Sequence, residues 1–324
     1  MVLVGCRAGR EADRRFMVSA LGFDADGSQL LLSAETVIVN SESTGEDIST
    51  RVFSSRGADA EECVFRLIQG MSKDVQLAHC GVVAVGDTVR GAALDGIIEY
   101  CTEKRDINLS TYMVSTANAS ELLSGKAVSA ITVGYELMGF MEHAADETGI
   151  RYGARVYEVQ SARMKKTPVY LLPRFSVASD SHTLDGTAVF VGNRGVMTLS
   201  ADETAVYSMI TGSRRGGKVN ADGVIYNVGS VHTYIISKES DGVVGININV
   251  LLPPDQSDNA LCRYVERCAA AIVGRSGGAD VFGVSDMIYA KNYTLWQKIS
   301  NGTVSLDGAA VDISCERRQT DYAK

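Results

Sequence analysis

The sequence is poor in the residues that build linkers, staples and membrane spans. It has 4 prolines against 32 glycines, which argues against Pro-rich spacers and leads us to expect domains that abut. No apolar run approaches the ~18 residues that a transmembrane helix needs. The 31 basic residues are outnumbered by 39 acidic ones, a net charge of −8, and this speaks against a surface built for nucleic acid. Aromatics are sparse, with 8 Phe, 13 Tyr and 1 Trp, so an aromatic platform for sugars is unpromising. The 7 cysteines are odd in number and include no CxxC pair. Neither a structural zinc site nor a disulfide framework is indicated, and buried thiols are the expectation.

What is present belongs to an ordinary globular chain, 45% hydrophobic and 22% charged, which rules against disorder, collagen-like repeats and a coiled-coil rod. Its 324 residues exceed what one core usually serves, so two or three domains are expected. Residues 16–23 and 30–39 read as strands joined by the turn sequence Asp24-Ala-Asp-Gly27. A short strand at 51–55 precedes a helix at 58–73 whose apolar positions are Cys63, Phe65, Leu67, Ile68 and Met71. The run 75–85 reads as a buried strand, and Asp87 as the N-cap of a helix reaching 101. A strand at 109–115 follows, then a short helix opened by Asn118 and a longer one at 127–147 with Leu137, Phe140, Met141 and Ala144 on one stripe.

Beyond Pro168 strands dominate, at 169–177, 187–191 and 195–199. Ser200 and Glu203 form a capping box for a helix at 201–210. Alternating segments at 224–231 and 234–252 suggest antiparallel strands, a helix spans 256–273, and residues 303–316 read as a strand or hairpin around Asp307-Gly308. The N-terminal half is thus a mixture of strands and helices around at least one sheet, and strands dominate after it.

Three patterns resemble reactive sites, and local context disfavours each. Gly212-Ser-Arg-Arg-Gly-Gly217-Lys218 falls one residue short of a P-loop, follows a helix rather than a strand, and lacks the Ser or Thr that would hold magnesium after Lys218. Gly274-Arg-Ser276-Gly-Gly278 fits a hydrolase elbow, but a helix runs into it, so its glycines read as a helix stop. The histidines, at 79, 143, 182 and 232, lack metal-ligand spacing, and a set made of Cys63, His79, Cys80 and Cys101 is not favoured. His143 reads as a surface residue and His79 as a structural hydrogen-bonding one. No catalytic, cofactor-binding or metal-binding residue is expected.

At the N-terminus, Leu3-Val4-Gly5-Cys6 has the form of a lipobox, although only five residues precede the cysteine. Either the start lies inside a signal peptide or the match is chance. Residues 7–15 carry four arginines against Glu11 and Asp13, a net of +2. That segment suits anionic headgroups, or a solvated terminus.

Four ordered blocks resemble the Ger(x)C family, the C subunits of bacterial spore germinant receptors. They are Cys6 with Arg10-Glu11 and Leu21-Gly22-Phe23-Asp24; His79-Cys-Gly-Val-Val-Ala-Val-Gly86 leading to Leu94-Asp95; Gly186-Thr-Ala-Val-Phe190 with Leu199-Ser200 and Glu203-Thr204; and Asp280-Val-Phe-Gly283 with Trp296 and the strand 311–317. Arg7 stands where the family usually has tryptophan.

The resemblance implies three α+β domains, each with its own sheet. Residues 1–6 would be the remnant of a lipoprotein signal peptide with Cys6 lipidated. Residues 7–180 would form an N-terminal Ger(x)C-like region and 181–320 a C-terminal one, with a further division near 218. It also implies a non-enzymatic subunit without cofactors, lipid-anchored to the outer face of the spore inner membrane. Its partners would be the A and B membrane subunits of a nutrient germinant receptor, with membrane lipid bound through acylated Cys6 and no nucleic acid. The other reading is a solute-binding lipoprotein that captures a small nutrient itself.

Overall fold

The computed structural model describes residues 15–40, 47–104, 106–178, 181–213, 216–229, 231–240, 243–252, 259–301 and 310–317. Cys6 and the arginines before residue 15 lie outside them. In chain order come strands β1 (Arg15–Asp26), β2 (Gln29–Asn40) and β3 (Asp47–Gly57), helix α1 (Ala60–Gln69), strands β4 (Asp74–Gln76) and β5 (Val82–Gly86), helix α2 (Ala92–Glu103) and strand β6 (Tyr112–Thr116). Helices α3 (Ala119–Ser124), α4 (Val133–Thr148) and α5 (Val156–Arg163) follow, then strands β7 (Val169–Ala178), β8 (Ser181–Val191) and β9 (Arg194–Ser200) and helix α6 (Ala201–Ile210). The remainder is β10 (Gly217–Ala221), β11 (Val224–Val228), β12 (His232–Ser240), β13 (Val243–Leu252), α7 (Asn259–Arg275), α8 (Val284–Lys291), α9 (Tyr293–Ser300) and β14 (Ala310–Arg317). The expected mixture of helices with several sheets is what the chain forms. The described residues divide into two compact units, one drawn from within 1–141, 154–160 and 173–185 and the other from within 142–153, 161–172 and 186–324.

In the first unit the strand order is β3-β2-β1-β5-β6-β7, with β4 beside β1. The strands β1 to β3 form an antiparallel meander, while β1, β5 and β6 run parallel. Every residue of β5 is buried, as a parallel strand covered on both faces requires. Leu21, Phe23, Leu32, Leu94, Ile97, Met113, Leu122 and Leu137 fill the core.

Several boundaries differ from the sequence reading, for local reasons. The strand expected at 51–55 runs from Asp47 to Gly57, because a polar, exposed strand is tolerated where its main chain pairs along β2. The helix expected to reach 73 ends at Gln69, where the Gly70 N–H closes onto the Arg66 and Leu67 carbonyls. Phe65 and Ile68, expected in the core, are 58% and 45% exposed, and Val64 is buried instead. The run 75–85 is split between β4 and β5. Asp87 does not cap α2, which starts after Gly91 at φ 59°. It makes a two-pronged ion pair with Arg174, both contacts at 2.7 Å. Helix α5 was not foreseen, since Val156 and Val159 are its buried residues and form too short a stripe to show.

The second unit holds the β8/β9 hairpin, turning at Gly192 with φ 64°, the β10/β11 hairpin, and a sheet ordered β12-β13-β14. The alternating segment 234–252 is divided between β12 and β13, which pair antiparallel with each other, and β14 joins β13 in parallel. Helix α7 buries Leu261, Tyr264, Val265 and Ile272. The expected Asp307-Gly308 turn lies outside the described residues. Strand β10 and the eight-residue helices α8 and α9 were not anticipated.

Candidate functional site

The buried carboxylates of the first unit, Asp24, Glu35 and Glu136, are tied up in building it. A helix leaves its first N–H groups without partners, and a carboxylate placed there accepts them and opposes the positive end of the helix dipole. Asp24, expected in a turn, is instead a buried member of β1. It accepts the Ala119 and Ser120 N–H groups of α3, each at 2.9 Å, while the Asn118 side chain accepts the Glu121 N–H at 2.8 Å. Glu35 of β2 does the same for α4, accepting Val133 N–H at 2.8 Å and Gly134 N–H at 2.9 Å as well as the Ser19 hydroxyl at 2.7 Å. Thr132 Oγ1 takes the Tyr135 N–H at 3.1 Å.

A buried link joins Glu136 to His182. Glu136 Oε1 accepts the Val128 N–H at 2.9 Å, the Ser129 N–H at 2.7 Å and the Ser129 hydroxyl at 2.9 Å. These contacts hold residues 128 and 129 outside a helix, which is why α4 starts at Val133 and not at 127. Oε2 lies 2.7 Å from His182 Nδ1, whose other ring nitrogen is 3.1 Å from the Leu122 carbonyl. Burial pushes the Glu136 carboxyl up, but the Ser129 and Val128 N–H donors, His182 and the Ser129 hydroxyl outweigh it and leave it below the ordinary 4.5. A carboxyl lowered on folding stabilises the fold fully above that ordinary value, and the contribution is lost as pH falls through the folded-state value. The melting-temperature gap between wild type and Glu136→Gln is therefore expected to be wide at pH 7 and to close towards pH 3 in thermal melts.

The second unit uses the same devices. The capping box of Ser200 and Glu203 forms as read from the sequence. Thr204 donates to the Ser200 carbonyl at 2.7 Å and lies 3.1 Å from the Thr187 hydroxyl. Asp280 accepts the Val284 and Ser285 N–H groups that open α8, both at 2.7 Å. The Tyr207 hydroxyl donates to the Val281 carbonyl at 2.6 Å, and its ring stacks on Phe282 with centroids 5.3 Å apart. On α8 and α9, Tyr289, Tyr293 and Trp296 pack together, and Lys166 Nζ sits 3.6 Å from the Trp296 ring centre.

The patterns that resembled chemistry do not assemble a site. Lys218 lies in β10, after a helix. Ser276 donates to the Val273 carbonyl at 2.8 Å, and Gly277 and Gly278 have φ of 60° and 81°, so this stretch is a helix stop. His143 is exposed, as expected, but so is His79, which was expected to be structural; the buried histidine is His182. Cys63, Cys80 and Cys101 are buried thiols, and burial raises Cys80 to about 12. A cleft of about 210 Å³ in the second unit is lined by Thr148, Ile150, Asp202, Lys218, Val219 and Ile225 among others, below the ~300–1,000 Å³ of most small-molecule pockets.

The model of the spore germination protein N-terminal domain family matches residues 9–177, about half of the 324-residue chain. The chain belongs to the Ger(x)C family of spore germination proteins. In fold it is similar to the crystal structure of the GerBC protein, with a TM-score of 0.53 over 92% of this chain and 96% of that one at 15% identity. No curated protein matches it in sequence.

Three of the four Ger(x)C blocks place an acid or a Ser-Glu pair at a helix start, and the block in between supplies a glycine against one of those acids. The first block ends in Asp24, the third contains the Ser200 box, and the fourth begins with Asp280. The second ends in Gly86, where a Cβ would overlap Asp24 Oδ1. Gly186, at φ 152°, likewise has no room for a Cβ, which would meet the Leu199 carbonyl oxygen. Gly86→Ala is expected to cost about 1–3 kcal/mol in urea unfolding, because the methyl displaces the carboxylate that holds α3. The sequence reading missed Glu35, Glu136 and His182 as partners. The only signal for Glu35 was a lone acid inside the apolar strand Leu30-Leu-Leu-Ser-Ala-Glu-Thr-Val-Ile-Val39.

Proposed function

We propose that the chain is the C subunit of a nutrient germinant receptor: a non-enzymatic lipoprotein, anchored through acylated Cys6 to the outer face of the spore inner membrane and working with the A and B membrane subunits. The observation that carries this reading is the family match beginning at residue 9, three positions after the lipobox cysteine. In this reading residues 1–6 are the remnant of a lipoprotein signal peptide with the lipobox cysteine, cleavage falls before Cys6, and 7–180 and 181–320 are the N- and C-terminal regions of the subunit. A diacylglyceryl group supplies two acyl chains where one alone binds membranes only marginally, and the +2 segment after Cys6 adds attraction to anionic lipid. The absence of a membrane-crossing helix among the described residues is compatible with attachment by lipid. The fold's inward-facing acids support a scaffolding role, because buried Asp24, Glu35 and Glu136 and half-buried Asp280 all hold helix or loop N–H groups. Deletion of the gene is expected to reduce nutrient-triggered germination of the host's spores to background, with recovery on complementation. Germination at the wild-type rate in the deletion strain would contradict the reading.

A further inference from the structure

We infer that Cys262 and Cys315 are a disulfide site, oxidised to a cross-link between α7 and β14 when the chain meets a disulfide oxidant. Their Sγ atoms lie 3.1 Å apart although 53 positions separate them in sequence, closer than two unbonded sulfurs ordinarily rest. Closing to a bond of 2.03–2.05 Å requires movement of only about 1 Å. The approach is imposed by groups other than the thiols. Cys315 N–H donates to Glu266 Oε1 at 3.0 Å, and Glu266 is one helical turn on from Cys262, so both project from one face of α7. In the β13/β14 register Cys315 lies beside Val250, which is fully buried.

The other thiols are differently engaged. Cys63 donates to the Leu30 carbonyl at 3.4 Å and Cys80 to the Val82 carbonyl at 3.2 Å, Cys101 is buried, and Cys268 is half-buried. Among the described residues, 262 and 315 are the pair whose sulfurs touch. With 9% and 8% exposure they are shielded, and a reagent reaches them as β14 frays from β13, its one neighbour in the sheet order.

The chemistry is thiol–disulfide exchange with a low-molecular-weight or protein disulfide, R–S–S–R. One cysteine thiolate attacks a reagent sulfur, breaks the reagent S–S bond and releases R–S⁻. The second thiolate attacks the mixed disulfide and releases the other R–S⁻. Two electrons pass from the cysteine sulfurs to the reagent, and the two cysteine protons end on two R–SH. The cross-link ties down a terminal strand and closes a long loop, which raises the melting temperature by roughly 5–10 °C.

The inference rests on this geometry and not on the receptor reading. Its test is oxidation of the purified full chain with oxidised glutathione, followed by alkylation of remaining thiols, intact-mass analysis and peptide mapping. The expected result is a linked pair of peptides carrying Cys262 and Cys315, with Cys63, Cys80 and Cys101 still alkylable after denaturation. The oxidised form should also melt higher than the reduced one, and that gap should vanish in Cys262→Ser and in Cys315→Ser. Glutathione found on Cys268 without the 262–315 link would overturn the proposal, because it shows that the oxidant acted and the pair did not close. Survival of the melting gap in both serine variants would overturn it equally.

Discussion

Glu35→Ala is expected to destabilise the first unit by about 3–5 kcal/mol, a large share of the margin of a domain whose total stability is typically about 5–15 kcal/mol. The side chain is 2% exposed, and its carboxylate accepts the first two N–H groups of α4 and the Ser19 hydroxyl. Alanine leaves those donors buried without an acceptor, and each such group costs about 1–3 kcal/mol. The start of α4 is seated tightly on β1, because Gly134 lies so close to the Ser19 carbonyl that a Cβ there would overlap it. Guanidinium unfolding of the purified chain checks this. Glu35→Gln should fall between wild type and alanine, since it keeps an acceptor oxygen but turns an NH₂ towards donors. A loss below about 1 kcal/mol for alanine would mean that α4 does not depend on its cap.

The second large effect concerns Cys6. Cys6→Ala, introduced at the native locus, is expected to move the chain out of the spore inner-membrane fraction and to impair nutrient germination as strongly as deletion does. Without the acyl chains the remaining attraction is that of the net +2 segment, and a charge of that size holds weakly at physiological salt. Fractionation with detection of the chain, together with germination assays on the same spores, separates the two effects. Membrane retention and normal germination in the variant would remove the anchor from the account.

How much of this was legible in the sequence depended on whether the signal was local. The β1/β2 hairpin, the Asn118 start of α3 and the Ser200 capping box were readable because alternation, a turn and a cap lie within a few residues of one another. The roles of Asp24 and Glu35 were not, because each acid sits 95 or more positions from the N–H groups it accepts. For the same reason Asp87, which sits where an N-cap would, was assigned to the nearest helix, whereas it pairs with Arg174, 87 positions away. Phe65 and Ile68 show the limit of periodicity, since apolar residues at helical spacing are expected inside and these two are exposed. The family blocks were recognisable before their use was. The third block's capping box was legible, but only the structure showed that the first and fourth also place helix-capping acids, Asp24 and Asp280, and that the second clears space for Asp24.

The most direct test of the central claim is capture of the epitope-tagged chain from detergent-solubilised spore inner membranes, followed by identification of the proteins that elute with it. The account predicts that the A and B receptor subunits co-elute in a constant ratio, and that both are absent from a mock capture on untagged spores. Recovery of the chain alone from the membrane fraction, with the A and B subunits left in the unbound material, would contradict it.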